Sequence, residues 1–394
     1  MKSILGYGFS LVLALLASHA VHAESGLTAT TVSIGQSAAF NGLGAEQGNN
    51  FSNGIQLYLD TINAKGGVHG REIVLKALDD GGDPARTQQN SQKLMNEDKV
   101  FALMGYVGAG PSHSALALVE KTGLPFLFPH TGADALRGSN RWVFHVRAGY
   151  KEEATKVIDH LVTIGAKQVA IVYQNDEAGK AGLHSYEEAL QNAKLKVVGQ
   201  TSLDAAGQYP QGALTAIVAL KPDAILLATT GKTSVTLIKD YLSIPKTEQP
   251  PFFGYSDIGV TQLRKGLGDQ AIGIGIAQVM PSPWNGKYAV VREYRDALSM
   301  AYGIGRASYR ETQFKAGQVE PSHAGLEGWI AAKVMVEALK RAGKDLTRAK
   351  FVTALESLHN FDTGDFVLDF SRDKHIGSSF AELSILRAGG KITQ

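Results

Sequence analysis

The stretch Ala224-Ile225-Leu226-Leu227-Ala228 is apolar at every position and is followed directly by Thr229-Thr230-Gly231. A strand with one face in solvent alternates apolar and polar residues, whereas a parallel strand covered on both faces is a continuous apolar run. The stretch therefore predicts a buried strand of a parallel sheet over Ala224–Ala228.

On both sides of this strand, short apolar runs alternate with segments whose apolar residues recur at helical spacing. In the first half of the chain the predicted strands are Val32–Gly35, Ile73–Leu78, Val100–Gly105 and Pro125–Phe128, and the predicted helices are Gly54–Asn63, Pro84–Asp98 and Ser112–Thr122, the last capped by Ser112. The pattern then restarts with strands Val169–Tyr173, Lys196–Gly199, Ala224–Ala228, Phe252–Gly254 and Ile272–Ala277, and with helices Gly179–Ala193, Pro210–Leu220 and Ser234–Leu242. Strands separated by such helices form right-handed βαβ units. Two cycles predict an α/β protein with two doubly wound lobes.

The C-terminal part is mostly helical, and we expect its helices to complete the first lobe after the chain crosses back. The predicted helices are Val290–Tyr302, Leu326–Gly343 and Arg348–His359, followed by strands at Phe366–Phe370 and Glu382–Leu386. The polar, glycine-containing stretch 303–323 is typical of an irregular surface loop.

Residues 1–23 have the pattern of a secretory signal peptide. Lys2 supplies a basic start, Phe9–Ala17 is too short to cross a bilayer, and Val21-His22-Ala23 has small residues at the two positions that a signal peptidase reads. The alternative is an uncleaved membrane anchor. The pattern predicts an exported protein that begins near Glu24 and keeps no anchor after cleavage.

Composition excludes several classes of function. The 394 residues include 39 Lys and Arg, 37 Asp and Glu, and no Cys. The near-neutral charge gives no reason to expect nucleic acid as a partner. The absence of Cys removes thiolate metal sites, disulfides and cysteine nucleophiles.

Motifs for catalysis, cofactors and metals are absent from the sequence. It contains no HExxH, no P-loop and no GxSxG, and its histidines are not clustered. The glycines Gly42, Gly44 and Gly48 miss the dinucleotide-binding spacing by one residue. We therefore expect no catalytic residues, no cofactor and no metal.

Ligands of open α/β sheets bind beyond the carboxyl ends of the strands. In this chain those ends are rich in Gly, Ser and Thr, which let backbone N–H groups approach a ligand. Gly105–Ser112, which includes Tyr106, precedes a helix and is a candidate cradle for a carboxylate. Asp176-Glu177, after Val169–Tyr173, is a candidate cleft position, whereas Asp79-Asp80 reads first as a polar turn before Pro84.

Several motifs together resemble one family. Ile62-Asn63-Ala64-Lys65-Gly66-Gly67-Val68-His69-Gly70-Arg71 is followed by Asp79-Asp80 and Asp83-Pro84, and later by Gly123-Leu124-Pro125 and Ile171-Val172-Tyr173-Gln174-Asn175-Asp176. This pattern resembles the leucine/isoleucine/valine-binding protein family, the type I periplasmic solute-binding proteins of ABC importers. The resemblance covers essentially the whole mature chain.

The resemblance implies two Rossmann-like lobes joined by three crossings, with a small solute captured between them by hinge closure. It places the crossings near Val146–Gly149, Ala277–Pro281 and Gly377–Ser379. Lobe 1 is then 24–146 plus 280–377, and lobe 2 is 147–279 plus 378–394. The implied location is the periplasm and the implied partner is a membrane permease of an ABC importer. A ligand-sensing domain of the same fold is the alternative, and an enzyme is a third reading with no motif to support it.

The family's ligand-binding positions transfer only in part. Its carboxylate-binding loops fall on Ala109-Gly110 and on His130-Thr131-Gly132, with Ser112 as a substitute hydroxyl. The position of its ammonium-binding acid falls on Ser256, with Asp257 beside it. Two aromatic residues that cover the family's ligand become Ala178, next to Asp176, and Thr230, and an aromatic selector becomes Gln47. We therefore expect a ligand other than a plain branched-chain amino acid, unless Asp257 rotates in. Larger organic acids, aromatic carboxylates, amides and short peptides fit these changes.

Overall fold

The computed structural model describes residues 24–138, 140–204, 206–245, 249–302 and 320–393. The predicted signal peptide and most of the predicted loop 303–323 lie outside these residues. The strands are β1 Thr31–Ala38, β2 Glu72–Asp79, β3 Ala102–Met104, β4 Phe126–Leu127, β5 Val143–Phe144, β6 Gln168–Gln174, β7 Lys196–Leu203, β8 Ala224–Ala228, β9 Phe252–Gly254, β10 Gly275–Gln278, β11 Phe361–Asp362, β12 Val367–Leu368, β13 Glu382–Leu386 and β14 Ile392–Thr393. The helices are α1 Ala45–Asn63, α2 Pro84–Asn96, α3 Ala109–Ser114, α4 Leu116–Thr122, α5 Tyr150–Thr163, α6 Glu177–Ala193, α7 Ala213–Ala219, α8 Gly231–Ser243, α9 Val260–Leu267, α10 Ala289–Tyr302, α11 His323–Ala342 and α12 Arg348–Glu356.

Two sheets organise the described residues. The first has the order β2-β1-β3-β4-β5 and is parallel throughout. The second has the order β14-β13-β10-β9-β8-β6-β7. In this sheet β13 pairs antiparallel with both β10 and β14, and the other strand pairs are parallel. All five residues of β8 are buried between β6 and β9, as the apolar run at Ala224–Ala228 predicts. The predicted α/β class with two doubly wound lobes is confirmed.

The chain changes sheet in three segments of its described part, after β5, after β10 and before β13. Two of these segments lie side by side: the His145 N–H donates to the His375 carbonyl at 2.8 Å, and the Gly377 N–H donates to the His145 carbonyl at 2.8 Å. We call these two segments, 145–149 and 375–379, the paired hinge strands.

The C-terminal helices complete the first lobe, as expected. Helix α11 crosses α1 so closely that a Cβ on Gly54 would lie 1.9 Å from the Gly325 carbonyl oxygen. Phe51, Leu326 and Trp329 belong to one buried core, to which α10 and α12 also contribute. This close crossing explains why a glycine lies inside α1, which begins at Ala45 rather than at the predicted Gly54.

Two local predictions are wrong. The predicted cap at Ser112 lies inside α3, because Gly108 at φ +95° turns the chain into the helix earlier. The single predicted helix Ser112–Thr122 is divided into α3 and α4 around Ala115. Helix α5, for which the sequence pattern gives no prediction, follows the first crossing between the sheets.

Within the described ranges, none of the helices has both the length and the apolar composition that a membrane span needs.

Candidate functional site

A cavity of about 380 Å³ lies at the carboxyl ends of the strands, where loops of the two sheets face each other. Its apolar walls come from both sides, with Leu43 and Pro84 from the first lobe and Ile258 from the second. No Phe, Tyr or Trp of the described residues lines it. The predicted site residues that line it are Gln47, Ala109, Gly110, His130, Asp176, Ala178, Thr230 and Asp257, and Ser256 lines a smaller adjoining void.

The remaining predicted residues pack behind the cavity wall. The Tyr106 hydroxyl is buried and lies 2.9 Å from Ser91 Oγ. Ser112 is fully buried, and its Oγ has no hydrogen-bond partner in the described structure. Thr131 Oγ1 accepts from the Ala133 N–H at 3.2 Å. A Cβ on Gly132 would lie 2.4 Å from the Tyr150 ring, so this glycine permits close packing.

Five helices of the described part of the chain begin at the cavity: α1, α2, α3, α6 and α8. The first N–H groups of a helix have no acceptor within it, and they carry partial positive charge. At the start of α6, the Asp176 carboxylate accepts a hydrogen bond from one of these groups, the Gly179 N–H, at 2.8 Å. Ala109 and Gly110 lie in the first turn of α3, so their N–H groups are available to a hydrogen-bond acceptor on a ligand.

Behind the cavity wall lies a buried group of ionisable side chains that we call the floor cluster, of which His130 and Asp257 line the cavity itself: Arg147, His130, Glu153, Asp257 and Glu327. Arg147 is 1% exposed and lies in the first paired hinge strand. Its Nη2 lies 3.1 Å from Glu153 Oε1 and 3.3 Å from Asp257 Oδ1. Glu327, from α11 of the first lobe, lies 3.2 Å from His130 Nδ1 and 3.7 Å from Arg147 Nη1. One guanidinium thus contacts carboxylates from both lobes.

Neighbouring groups add hydrogen bonds to this cluster, while His130 Nε2, Arg147 Nε and Glu327 Oε1 have no partner in the described structure. The Tyr150 hydroxyl donates to Asp257 Oδ2, so both carboxylate oxygens of Asp257 are engaged. The Ser256 N–H donates to Glu153 Oε2 at 2.7 Å, and Arg147 donates to Ser256 Oγ. Rotation of Asp257 toward a ligand would therefore break its bonds to Arg147 and Tyr150.

Burial and ion pairing together shift the pKa values of the two glutamates of the cluster in opposite directions. For Glu153, burial outweighs the attraction of Arg147 and raises the pKa to about 7. Burial also opposes ionisation of Glu327, but His130 and Arg147 hold its pKa below its usual range. Glu327 is therefore the more firmly ionised partner.

Sequence reasoning does not find Arg147, Glu153 or Glu327. Each is a charge within an apolar pattern: Arg147 between Val146 and Ala148, Glu153 on the buried face of α5, and Glu327 within α11. A charge at a position that the pattern assigns to the core is the signal that points to such residues.

At the mouth of the cavity, four residues form what we call the rim group: Glu46, Gln47, His113 and Glu177. Gln47 Nε2 donates across the cleft to the carbonyls of Ser256 (3.3 Å) and Asp257 (3.2 Å). His113 Nδ1 lies 2.6 Å from Glu177 Oε1. These contacts join the two lobes where the side chains are partly exposed.

The fold and the cleft define a class, the bilobed binding proteins that enclose a ligand between two α/β lobes. The family model described as "Periplasmic binding protein" matches residues 31–383, and the chain belongs to this family. The resemblance noted from the sequence is confirmed.

Individual relatives agree with this assignment. The chain is 26% identical over 173 residues to the Leu/Ile/Val-binding protein of Citrobacter freundii, which is 43% of this chain and 47% of that protein. The chain thus matches about half the length of this curated relative. A crystal structure from Rhodopirellula baltica, described as a possible leucine/isoleucine/valine-binding protein, has TM-score 0.83 and 29% identity over 93% of this chain and 97% of its own. A substrate-binding periplasmic protein from Ralstonia solanacearum has TM-score 0.82 and 30% identity over 92% and 99%.

Proposed function

We propose that this protein is the exported solute-binding component of an ABC importer. It captures a small organic solute between its lobes and presents the closed, loaded form to a membrane permease. The observation that carries the proposal is the cavity of about 380 Å³ that lies between the two lobes. Three segments of the described chain join these lobes. In this proposal residues 1–23 are the signal peptide, the mature protein acts in the periplasm, and it performs no catalysis.

The proposed cycle is a hinge motion. Lobe 1 is 24–146 plus 280–377, and lobe 2 is 147–279 plus 378–394. The open form exposes Ala109, Gly110 and His130, and closure brings Ala178 and Thr230 over the solute. A solute shifts the population toward the closed form in proportion to its preference for that form.

The solute differs from a plain branched-chain amino acid in this proposal. Ala178 and Thr230 leave the cavity without aromatic cover, which gives room for a larger body. Asp257 is bonded to Arg147 and Tyr150, so its carboxylate is already compensated. An amino acid-related compound, a carboxylate or an amide with an apolar portion fits the cavity.

The test combines binding with shape. Mature protein freed of co-purified solute is screened by thermal shift, where a solute at 100 times its dissociation constant stabilises by about 2.7 kcal/mol. Small-angle scattering on each hit is expected to show contraction, and deletion of the gene is expected to reduce uptake of that solute. Unchanged dimensions at saturation would refute hinge closure. Uptake that survives deletion would refute the importer role and favour sensing, and turnover of the solute would indicate an enzyme.

A further inference from the structure

Acidic residues outnumber basic ones in the lining of the cavity. Four acidic residues line it, Glu46, Asp176, Glu177 and Asp257, and His130 is the one basic side chain among the described residues of the lining. No Lys or Arg among the described residues lines it. A ligand anion next to these carboxylates meets like-charge repulsion, whereas a cation is attracted.

Three of the four carboxylates already have partners. Asp257 is bonded to Arg147 and Tyr150 in the floor cluster. Glu177 is paired with His113, and Asp176 caps α6 through the Gly179 N–H. Each of these three carboxylates thus already has at least one donor within the protein.

Glu46 is the exception. It lies half-buried in the first turn of α1, and it has no hydrogen bond or ion pair to any residue that the structure describes. The nearest cations are committed elsewhere: Lys265 lies 2.8 Å from Glu320, and Arg264 also bonds Glu320. Burial raises the pKa of Glu46, although Lys265 opposes this shift. A carboxylate withdrawn from water without a partner costs free energy that a ligand cation recovers.

We infer that the solute carries a positively charged nitrogen and that Glu46 binds it from the first lobe. This inference rests on the proposed function. Leu43 and Pro84 of the first lobe and Ile258 of the second supply apolar walls to the same cavity, so the nitrogen belongs to a compact hydrocarbon body. Among the solutes of the proposed function, this selects the amino acid-related compounds that are amines with an apolar body, and Glu46 is the residue that determines this specificity.

The test uses two sets of probe compounds. Within each set the hydrocarbon part stays similar and the charge of the polar group differs. Benzylamine, benzyl alcohol and benzoate form one set, and isopentylamine, isopentanol and isovalerate form the other. Binding is measured by calorimetry at up to millimolar concentration on wild type, Glu46→Gln and the matched control Glu177→Gln. Glu177 lines the same cavity but is already paired. Unchanged circular dichroism of the variants verifies their folding.

We expect the amine of each set to bind more tightly than its alcohol or acid. Glu46→Gln is expected to weaken amine binding by about tenfold or more, and Glu177→Gln by much less. The inference is overturned if no amine binds, if an acid or alcohol binds equally well, or if Glu46→Gln leaves amine binding unchanged. An acid or alcohol that binds and contracts the protein would overturn the inference and leave the proposed function intact. Solutes that bind without contraction would refute the proposed function instead.

Discussion

The floor cluster and the rim group both join the two lobes with polar side chains, but they do so in different ways. At the floor, Arg147 is buried and contacts carboxylates from both lobes. At the rim, Gln47 makes two longer hydrogen bonds and Glu46 has no partner among the described residues. Separating buried, paired charges is costly, whereas partly exposed hydrogen bonds exchange with water at little cost. In the proposed hinge motion, this difference makes the floor cluster the part that stays joined and the rim group the part that opens.

The largest effect is expected for Arg147→Met. This change leaves Glu153, Asp257 and Glu327 buried without their shared guanidinium. Breaking a buried ion pair by removing one partner destabilises by about 3–5 kcal/mol, and we expect a loss of that size in urea unfolding. Arg147→Lys, which keeps the charge but not the fork of donors, should lose less. A loss below about 1 kcal/mol in Arg147→Met would contradict the role of the floor as the joint.

The second prediction concerns pH. The pKa of Glu153 in the folded protein is raised to about 7, above its ordinary value of 4.5. The folded protein thus holds this proton more tightly than the unfolded chain, so the stabilisation is complete below about pH 4.5 and is lost as the pH rises through about 7. The stability of wild type relative to Glu153→Gln should fall across that interval.

Urea unfolding at a series of pH values measures this difference. Glu72→Gln serves as the control, because Glu72 is exposed at the start of β2, at the opposite end of the sheet from the cavity. Parallel pH curves for wild type and Glu153→Gln would show that Glu153 does not titrate in this interval.

A smaller effect is expected from Gln47→Ala, which removes both cross-cleft hydrogen bonds of the rim. Such bonds contribute about 0.5–1.5 kcal/mol each, so the ligand-free protein should shift toward larger dimensions in small-angle scattering. Gln56→Ala is a matched control on the same helix, since the Gln56 amide bonds only to Asp60 on α1. Equal dimensions in both variants would mean that the rim does not hold the cleft closed.

The smallest effect is expected for Glu46→Gln without ligand. Burial disfavours the charge on Glu46 and raises its pKa, while Lys265 and the first turn of α1 favour the charge and reduce the effect. We expect a gain in stability below about 1 kcal/mol at neutral pH. Glu177→Gln should lose a little stability because it gives up the His113 contact. Thermal melts show which variant gains stability and which loses it. A clear loss of stability in Glu46→Gln would indicate a partner for this carboxylate within the protein.

The fold is predictable wherever burial is uniform along a segment. β8 begins and ends at the predicted residues because Asp223 and Thr229 bound its apolar run, and β9, which directly follows Pro251, also begins and ends as predicted. Helix α5 is harder to recognise, since its buried face includes Glu153 beside Ala154 and Val157. The rule that ligands bind beyond the carboxyl ends of parallel strands locates the cavity without knowledge of which side chains pair there. The floor cluster depends on pairing between α5, α11 and the loop after β9, and no local pattern in the sequence records which charges meet.

In the proposed hinge motion, the paired hinge strands determine the direction in which the lobes move. Two strands fastened side by side by hydrogen bonds at His145 resist shear and twist against each other more than they resist bending together. Together they bend most easily about a single axis that runs across both strands. The lobes of the protein should therefore open along one arc, and a solute should enter and leave through the rim side of the cleft.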